Sequence, residues 1–226
     1  MEVILREKPK AKVLIEAFPG FGLVGTIVTE YLLEHLDCKQ IGEIIFDDLP
    51  ATVAIHKGEL VHPMGIFYCE AFDAIILHAI LDVKGFEWRI ARAILDIKKQ
   101  LDVKEILSLE GVASNGGEEI YCYKNKQLES LGAKPVDESV IMGVTAALLL
   151  KEKDISCLFA ESHSNLPDSR AAARIIEYLD KYLKFDLDTK PLLMQAEIFE
   201  KKVKGMLQKT SKTVSEADKK QMSYLG

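Results

Sequence analysis

The sequence has few cysteines, no excess of basic residues and no long apolar run. Its 226 residues include four cysteines, and 29 Lys and Arg against 35 Asp and Glu give a net charge of −6. No apolar run reaches the roughly 18 residues that a membrane-spanning helix needs, and a negative net charge opposes general attraction to phosphate backbones. We therefore expect neither membrane nor nucleic acid as a partner. The start, Met1 to Arg6, lacks signal-peptide features, which favours a cytoplasmic protein.

The cysteines are spaced too irregularly for a metal site. None belongs to a C-x-x-C pair, and no histidine stands near one at the spacing of a ligand set. We expect them to behave as small buried hydrophobic side chains, and we expect no metal. They are Cys38, Cys69, Cys122 and Cys157.

Short apolar runs alternate with amphipathic stretches along most of the chain. The runs typical of strands are residues 12–17, 41–46, 52–56, 65–69, 74–79, 105–109, 119–123 and 155–160. Helical spacing covers residues 86–101 and begins again at Pro167 and at Pro191. The alternation predicts a three-layer α/β/α sandwich with a mixed, mostly parallel central sheet. We expect this domain to span residues 1–188, a C-terminal amphipathic helix residues 189–208, and a flexible polar tail residues 209–226.

A glycine-rich turn follows the first buried run and precedes a helical pattern. It has the spacing G-x-G-x-x-G, at Gly20, Gly22 and Gly25. Such a turn at a helix N-terminus is typical of dinucleotide sites, where it holds a pyrophosphate. The acidic residue needed for the ribose is missing from its usual place, since Asp37 precedes the second strand and Asp47 follows it. We favour a tight strand-to-helix turn and expect no cofactor.

Acidic residues follow two of the predicted strands. In a mostly parallel sheet the functional crevice lies beyond the carboxyl ends of the strands. Glu110 and Glu161 would face one cleft there, with Asp168 close behind. The glycine turn at Gly20, Gly22 and Gly25 would lie at the same cleft. Two carboxylates would suit the acid and base roles of a nucleosidase-like enzyme. The alternative, which we favour, is that these acids cap backbone N–H groups or pair with Arg170 and Arg174.

Residues 222–226 reverse the polar character of the tail. Met222, Tyr224 and Leu225 stand just before Gly226. An apolar and aromatic tip on a mobile segment suits docking, because a partner can supply a pocket for the ring and a cation for the carboxylate. A frayed end without function is the alternative.

Four segments, each present once in the chain, follow one another in an order that is known from a protein family. They are residues 18–25 (FPGFGLVG), 109–112 (LEGV), 141–150 (IMGVTAALLL) and 160–172 (AESHSNLPDSRAA). Taken together they resemble the proteasome assembly chaperone family, in particular its archaeal members. The resemblance covers about residues 10–200, and the order of several segments is more specific than any one of them.

This resemblance implies a fold, a partner and a mode of action. The fold would be an α/β sandwich similar to nucleoside phosphorylases. The protein would be a homo-oligomer that helps proteasome α subunits to assemble without ATP, and not an enzyme. Members can end in a hydrophobic-tyrosine-any tripeptide that enters pockets between α subunits, whereas here Tyr224 stands third from the end, after Ser223.

Two other functions stay open at this point. One is an enzyme whose active site is a cleft with Glu110 and Glu161. It would be similar to nucleosidases and phosphorylases, or to the ATP-grasp ligases with which some relatives have been grouped. The other is a general chaperone that shields unfolded clients.

Overall fold

The structure is a computed structural model that describes residues 1–46, 48, 53–56, 58–113, 117–163, 166–194 and 196. One compact unit spans Met1–Leu187. A second unit begins at Asp188, and its residues 190–194 and 196 are helical. Leu193 N donates to Thr189 O at 3.1 Å where this helical segment starts. The predicted tail over residues 209–226 lies outside the described residues.

A nine-stranded mixed sheet forms the centre of the first unit among the described residues. The strands are β1 (Glu2–Leu5), β2 (Val13–Ala17), β3 (Lys39–Ile45), β4 (Ala54–His56), β5 (Glu59–Val61), β6 (Met64–Cys69), β7 (Ala74–Ala79), β8 (Glu105–Ala113), β9 (Ile120–Tyr123), β10 (Lys134–Pro135) and β11 (Ile155–Ser162). The order across the sheet is β1-β3-β6-β7-β2-β8-β11-β9-β10, and β4 and β5 form a separate hairpin.

Parallel pairing is concentrated in the centre of this sheet. There β7, β2, β8 and β11 run parallel to one another. The flanking strands β1, β3 and β6 on one side pair antiparallel with their neighbours. On the other side β9 pairs antiparallel with β11 and parallel with the edge strand β10. Every residue of β2 and β7 is buried, as expected of strands that helices cover on both faces. The predicted mixed sheet is confirmed.

Helices cover both faces of the sheet. They are α1 (Val24–His35), α2 (Glu87–Gln100), α3 (Lys126–Ser130), α4 (Gly143–Lys151) and α5 (Ser169–Leu183). α1 packs against α5 on one face, and α2 packs against α4 on the other. Their periodic apolar positions are fully buried, for example Ile90 and Ile94 in α2 and Ile175 and Leu179 in α5. The three-layer sandwich is therefore confirmed. Within the described part of the chain, no helix combines the length and apolar character needed to cross a bilayer.

Two central strands run further than the sequence predicts. β8 ends at Ala113 and β11 at Ser162, rather than at residues 109 and 160. The two strands stay in parallel register along this whole stretch. Backbone pairing thus carries both strands through glutamates that interrupt their apolar runs. Glu110 and Glu161 lie within strands and not in the loops that follow them.

The expectation for the cysteines is correct for one pair and wrong for the other. Cys122 and Cys157 are buried free thiols. Cys38 and Cys69, however, form a disulfide across 31 positions of sequence. Cys38 precedes β3 and Cys69 ends β6, and the antiparallel pairing of these two strands brings the cysteines together.

Candidate functional site

The glycine turn packs tightly against the ends of two central strands. Gly22 has a φ of +65°, and a Cβ there would lie 2.5 Å from the Ser162 Oγ of β11. A Cβ on Gly25 would lie 2.7 Å from the Leu109 carbonyl oxygen of β8. A Cβ on Gly20, by contrast, would find its nearest neighbour at 3.7 Å. Two of the three glycines are therefore required by packing, as a tight strand-to-helix turn predicts.

A cavity of about 190 Å³ lies beside this turn, at the carboxyl ends of β2 and β8. Gly20 lines it together with Glu110 of β8 and Thr145 in the first turn of α4. Its other lining residues include Phe18, Val83 and Val144, which are apolar, and Asp82, Lys84 and Glu87, which are charged. This is the crevice in which a ligand of an open α/β sheet is expected.

A second carboxyl group, that of Glu16 in β2, lies close to Glu110 but does not line this cavity. The parallel register places Glu16 opposite Ser108, so both residues share a sheet face with Glu110. Ser108 hydrogen-bonds the Glu16 carboxyl, and its Oγ lies 2.8 Å from Thr145 Oγ1. Glu16 is only 1% exposed. Among the described residues, Glu16 Oε1 and Glu110 Oε2 have no hydrogen-bond partner.

Burial changes the charge state of both carboxyls. It raises the pKa of Glu16 to about 8; the hydrogen bond from Ser108 opposes this rise, and the negative charge of Glu110 adds to it. Burial also raises the pKa of Glu110 to about 7, against a hydrogen bond from Thr145. At neutral pH Glu16 is therefore mainly a neutral acid, while Glu110 is divided between its two forms.

Glu161 faces a different cavity. That cavity has a volume of about 300 Å³ and is also lined by Tyr121 and Phe159. The Glu161 carboxylate accepts a hydrogen bond from the Glu119 N–H at 2.9 Å, and Arg174 Nη2 donates to the Glu161 backbone carbonyl at 2.7 Å. The two glutamates predicted to face one cleft thus line separate cavities, and one of them holds the loop before β9.

Asp168 is the N-cap of α5, which begins one residue later and not at Pro167 as the sequence predicts. Its Oδ1 accepts from Ala171 N at 2.9 Å, and its Oδ2 accepts from Ser162 Oγ at 2.8 Å. Its own N–H donates to Gly22 O at 2.9 Å. Asp168 therefore ties α5, β11 and the glycine turn together, in the capping arrangement favoured above.

Exposed apolar side chains occur on the α2 and α4 side of the sheet. Trp88 of α2 is 51% exposed, and Met142, just before α4, and Leu150, within it, are each 73% exposed. The Lys151 Nζ lies 5.6 Å from the centroid of the Trp88 ring, which brings side chains of the two helices together. The spacing of apolar residues in the sequence does not by itself distinguish these exposed positions from buried ones.

The residues predicted to dock to a partner are not part of this site. The docking tip lies outside the described part of the chain; it comprises Met222, Tyr224, Leu225 and Gly226. Among the described residues, no three His, Cys, Asp or Glu side chains gather as a metal site would require. Glu16 was missed by the sequence reasoning, although an acid inside the apolar run Val13–Ala17 is a recognisable signal.

The chain matches one known protein family over most of its length. The model of the PAC2 family matches residues 14–207, which is most of its length. The chain belongs to the PAC2 family. A similar protein is the uncharacterized protein MJ0106 of Methanocaldococcus jannaschii, 28% identical over 222 residues that cover 94% of this chain and 92% of that protein.

Solved structures of similar proteins share the fold over most of the chain. Pyrococcus furiosus PbaA, described as an archaeal homolog of proteasome-assembly chaperone, is 27% identical, with a TM-score of 0.83 over 96% of this chain and 97% of PbaA. PbaB of the same organism, described as an archaeal proteasome activator, is 21% identical, with a TM-score of 0.75 over 91% of this chain and 98% of PbaB. At 21% identity, the match to PbaB supports a shared fold and nothing about function. The family resemblance read from the sequence is confirmed.

Proposed function

We propose that this protein is an ATP-independent proteasome assembly chaperone that binds proteasome α subunits in the cytoplasm. The observation that carries the proposal is the likeness to PbaA over nearly the full length of both chains. The family match over residues 14–207 supports it as well. The proposed action is binding and not catalysis.

The proposed docking element is the tip Met222, Tyr224, Leu225 and Gly226. Its support is chemical, since an aromatic ring and two apolar side chains on a polar segment suit a pocket between subunits. Tyrosine stands one place earlier than in the family tripeptide, so the tip would have to enter such a pocket in a shifted register.

The proposed oligomer would form through the exposed apolar side chains of the α2 and α4 side. Trp88 and Leu150 there are more than half exposed, and apolar groups of this kind favour association with a second copy. Several tails on one oligomer would give multivalent attachment to an α-subunit ring.

An enzyme that uses Glu110 and Glu161 as acid and base receives no support from the geometry. The two residues line different cavities. Acid and base must both reach the same substrate, so this pair has no shared space in which to act.

Native mass spectrometry of the full chain with archaeal proteasome α subunits tests the proposal. We expect a complex with the full chain and none with a chain ending at Gln221. Tyr224→Ala should weaken the complex about tenfold or more, because buried aromatic anchors dominate such contacts, whereas Ser223→Ala should leave it unchanged.

Two results would contradict the proposal. If no chain binds α subunits, the proteasome function fails. If the full chain binds unrelated unfolded proteins with the same affinity as α subunits and prevents their aggregation, the function is that of a general chaperone.

A further inference from the structure

The edge strand β1 leaves one side of its backbone without a strand partner. It ends the nine-stranded sheet and, among the described residues, pairs only with β3. The opposite edge strand, β10, is only two residues long and includes Pro135, which has no N–H to donate. Natural proteins block their sheet edges with proline or with inward-pointing charges, because an open edge is a template for pairing with another chain. Neither device occurs between Val3 and Leu5, so β1 is the open edge of this sheet.

Alternate residues of β1 direct their backbone groups to this open side. The pairing with β3 extends one residue past β1, where Arg6 N donates to Ile41 O at 2.7 Å. In an antiparallel pair, the backbone groups of successive residues point to opposite sides of the strand. Arg6 and Ile4 therefore point their backbone groups to β3, whereas Val3 and Leu5 point theirs away from it.

Residues 2–6 are self-complementary when two copies of the strand run antiparallel. They read Glu-Val-Ile-Leu-Arg, with an acid at one end, a base at the other and apolar residues between them. In the register centred on Ile4, Glu2 lies opposite Arg6 of the second copy. Val3 then lies opposite Leu5, so that their outward backbone groups meet. Opposite charges and apolar pairs facing each other stabilise a sheet, whereas a register centred on Val3 or Leu5 would place a charged side chain opposite Ile4.

We propose that β1 of one copy pairs antiparallel with β1 of a second copy, which joins the two sheets across a twofold axis at Ile4. Arg6 can take part although its Nη2 donates to Glu43 Oε1 at 2.6 Å, because the guanidinium has further N–H donors and the side chain is 50% exposed. Val3 and Leu5 already pack against the apolar core of their own chain. The strand is thus held in place before it pairs, which lowers the entropic cost of association.

This contact uses no residue of α2 or α4 and does not rest on α-subunit binding. Pairing over five residues is a small interface, and small interfaces give weak association on their own. A second contact through α2 and α4 would give each chain two twofold interfaces, and two such interfaces close into a tetramer.

Disulfide cross-linking tests the pairing and its register. Facing residues of a pair without mutual backbone hydrogen bonds have Cα atoms about 4.5 Å apart, within the roughly 4.4–6.8 Å that a disulfide spans. Ile4→Cys should therefore form a covalent dimer when oxidised glutathione takes up the electrons of the two thiols and is itself reduced. Glu2→Cys is the matched control, because the two Glu2 positions would lie about 14 Å apart.

At equal concentration, Ile4→Cys should give about tenfold more dimer than Glu2→Cys on a non-reducing gel, because only its two thiols come within bonding distance. The native cysteines should not contribute, because two form a disulfide and the other two are buried.

Ile4→Lys tests the contact without a covalent bond. It places two positive charges opposite each other at the twofold axis, and like charges facing each other destabilise strand pairing. Within one chain Glu43 of β3 lies opposite Ile4, so the single copy can accommodate a lysine there. Analytical ultracentrifugation should show half the wild-type mass, with an unchanged circular dichroism spectrum. Ile4→Val keeps the apolar pair and should keep the wild-type mass.

The proposal is overturned if Ile4→Cys gives no more dimer than Glu2→Cys, or if Ile4→Lys keeps the wild-type mass. An edge covered by another segment of the chain, or by a different protein, would give both of these results. Neither experiment contains α subunits, so this proposal and the proteasome function fail separately.

Discussion

At the scale of single residues, the glycines of one turn differ in the room that the fold leaves beside them. Gly25 lies where α1 crosses β8, and a Cβ there would sit 2.7 Å from the Leu109 carbonyl oxygen. Gly20 faces the cavity, where a Cβ would meet only ordinary contacts. The same sequence motif therefore contains one position fixed by packing and one that packing leaves unconstrained.

Gly25→Ala should lower the free energy of unfolding by about 1–3 kcal/mol, because the helix must move away from the strand to admit the methyl group. Gly20→Ala is the matched control and should change the free energy of unfolding by less than about 0.5 kcal/mol. Urea denaturation of the three proteins measures both values. Equal effects of the two substitutions would show that packing does not explain this motif.

The buried Glu16 should make stability depend on pH. Its pKa rises from 4.5 when exposed to about 8 in the fold, so between these values the folded chain holds a proton that the unfolded chain has released. The free energy of unfolding should therefore fall as pH increases through this range. Glu16→Gln cannot ionise and should remove a large part of this fall, on the order of 2–4 kcal/mol between pH 5 and pH 9.

Urea denaturation at several pH values checks that expectation. Glu110 contributes a fall of the same sign, so the Glu16→Gln protein should retain a smaller pH dependence. Asp96→Asn, at an exposed position of α2, is the control and should follow the wild-type curve. A Glu16→Gln curve parallel to that of the wild type would mean that Glu16 is ionised in the fold.

At the scale of elements, periodicity was sufficient to find the central strands and the covering helices. It was insufficient where an element depends on its neighbours. β8 and β11 continue beyond Leu109 and Ala160 because they pair with each other. The Phe21 backbone packs so closely against Gly111 of β8 that a side chain at this position would clash with it. The short edge strand β1 exists through its pairing with β3 and has no strong pattern of its own.

Register explains what sequence reasoning found and missed in the candidate site. The glycine turn and Glu110 were predicted to lie together, and both line the same cavity. Glu16 joins Glu110 only because β2 and β8 pair with Glu16 opposite Ser108, which no local pattern reveals. The Cys38 and Cys69 disulfide depends in the same way on the pairing of β3 with β6.

At the scale of the whole molecule, the proposed function combines weak tips with an oligomeric body. A single short peptide makes few contacts, so one tail alone would bind an α-subunit ring weakly. Linking several tails through one body makes each later contact intramolecular, and avidity can then exceed the single affinity by a factor of about 10² to 10⁴. Tight binding would therefore require the subunit interface as well as the tip.

Leu150→Lys tests this coupling, because it places a charge among the exposed apolar side chains of α2 and α4 and suits the C-terminal end of a helix. We expect a smaller mass in analytical ultracentrifugation and about 10²-fold weaker binding to α-subunit rings. Ile55→Lys is the control: Ile55 is 76% exposed on the β4 and β5 hairpin, and both properties should be unchanged. An unchanged mass in Leu150→Lys would place self-association on another surface. A smaller mass with undiminished ring binding would show that one tail suffices, because the tip would then bind without the avidity that an oligomer supplies.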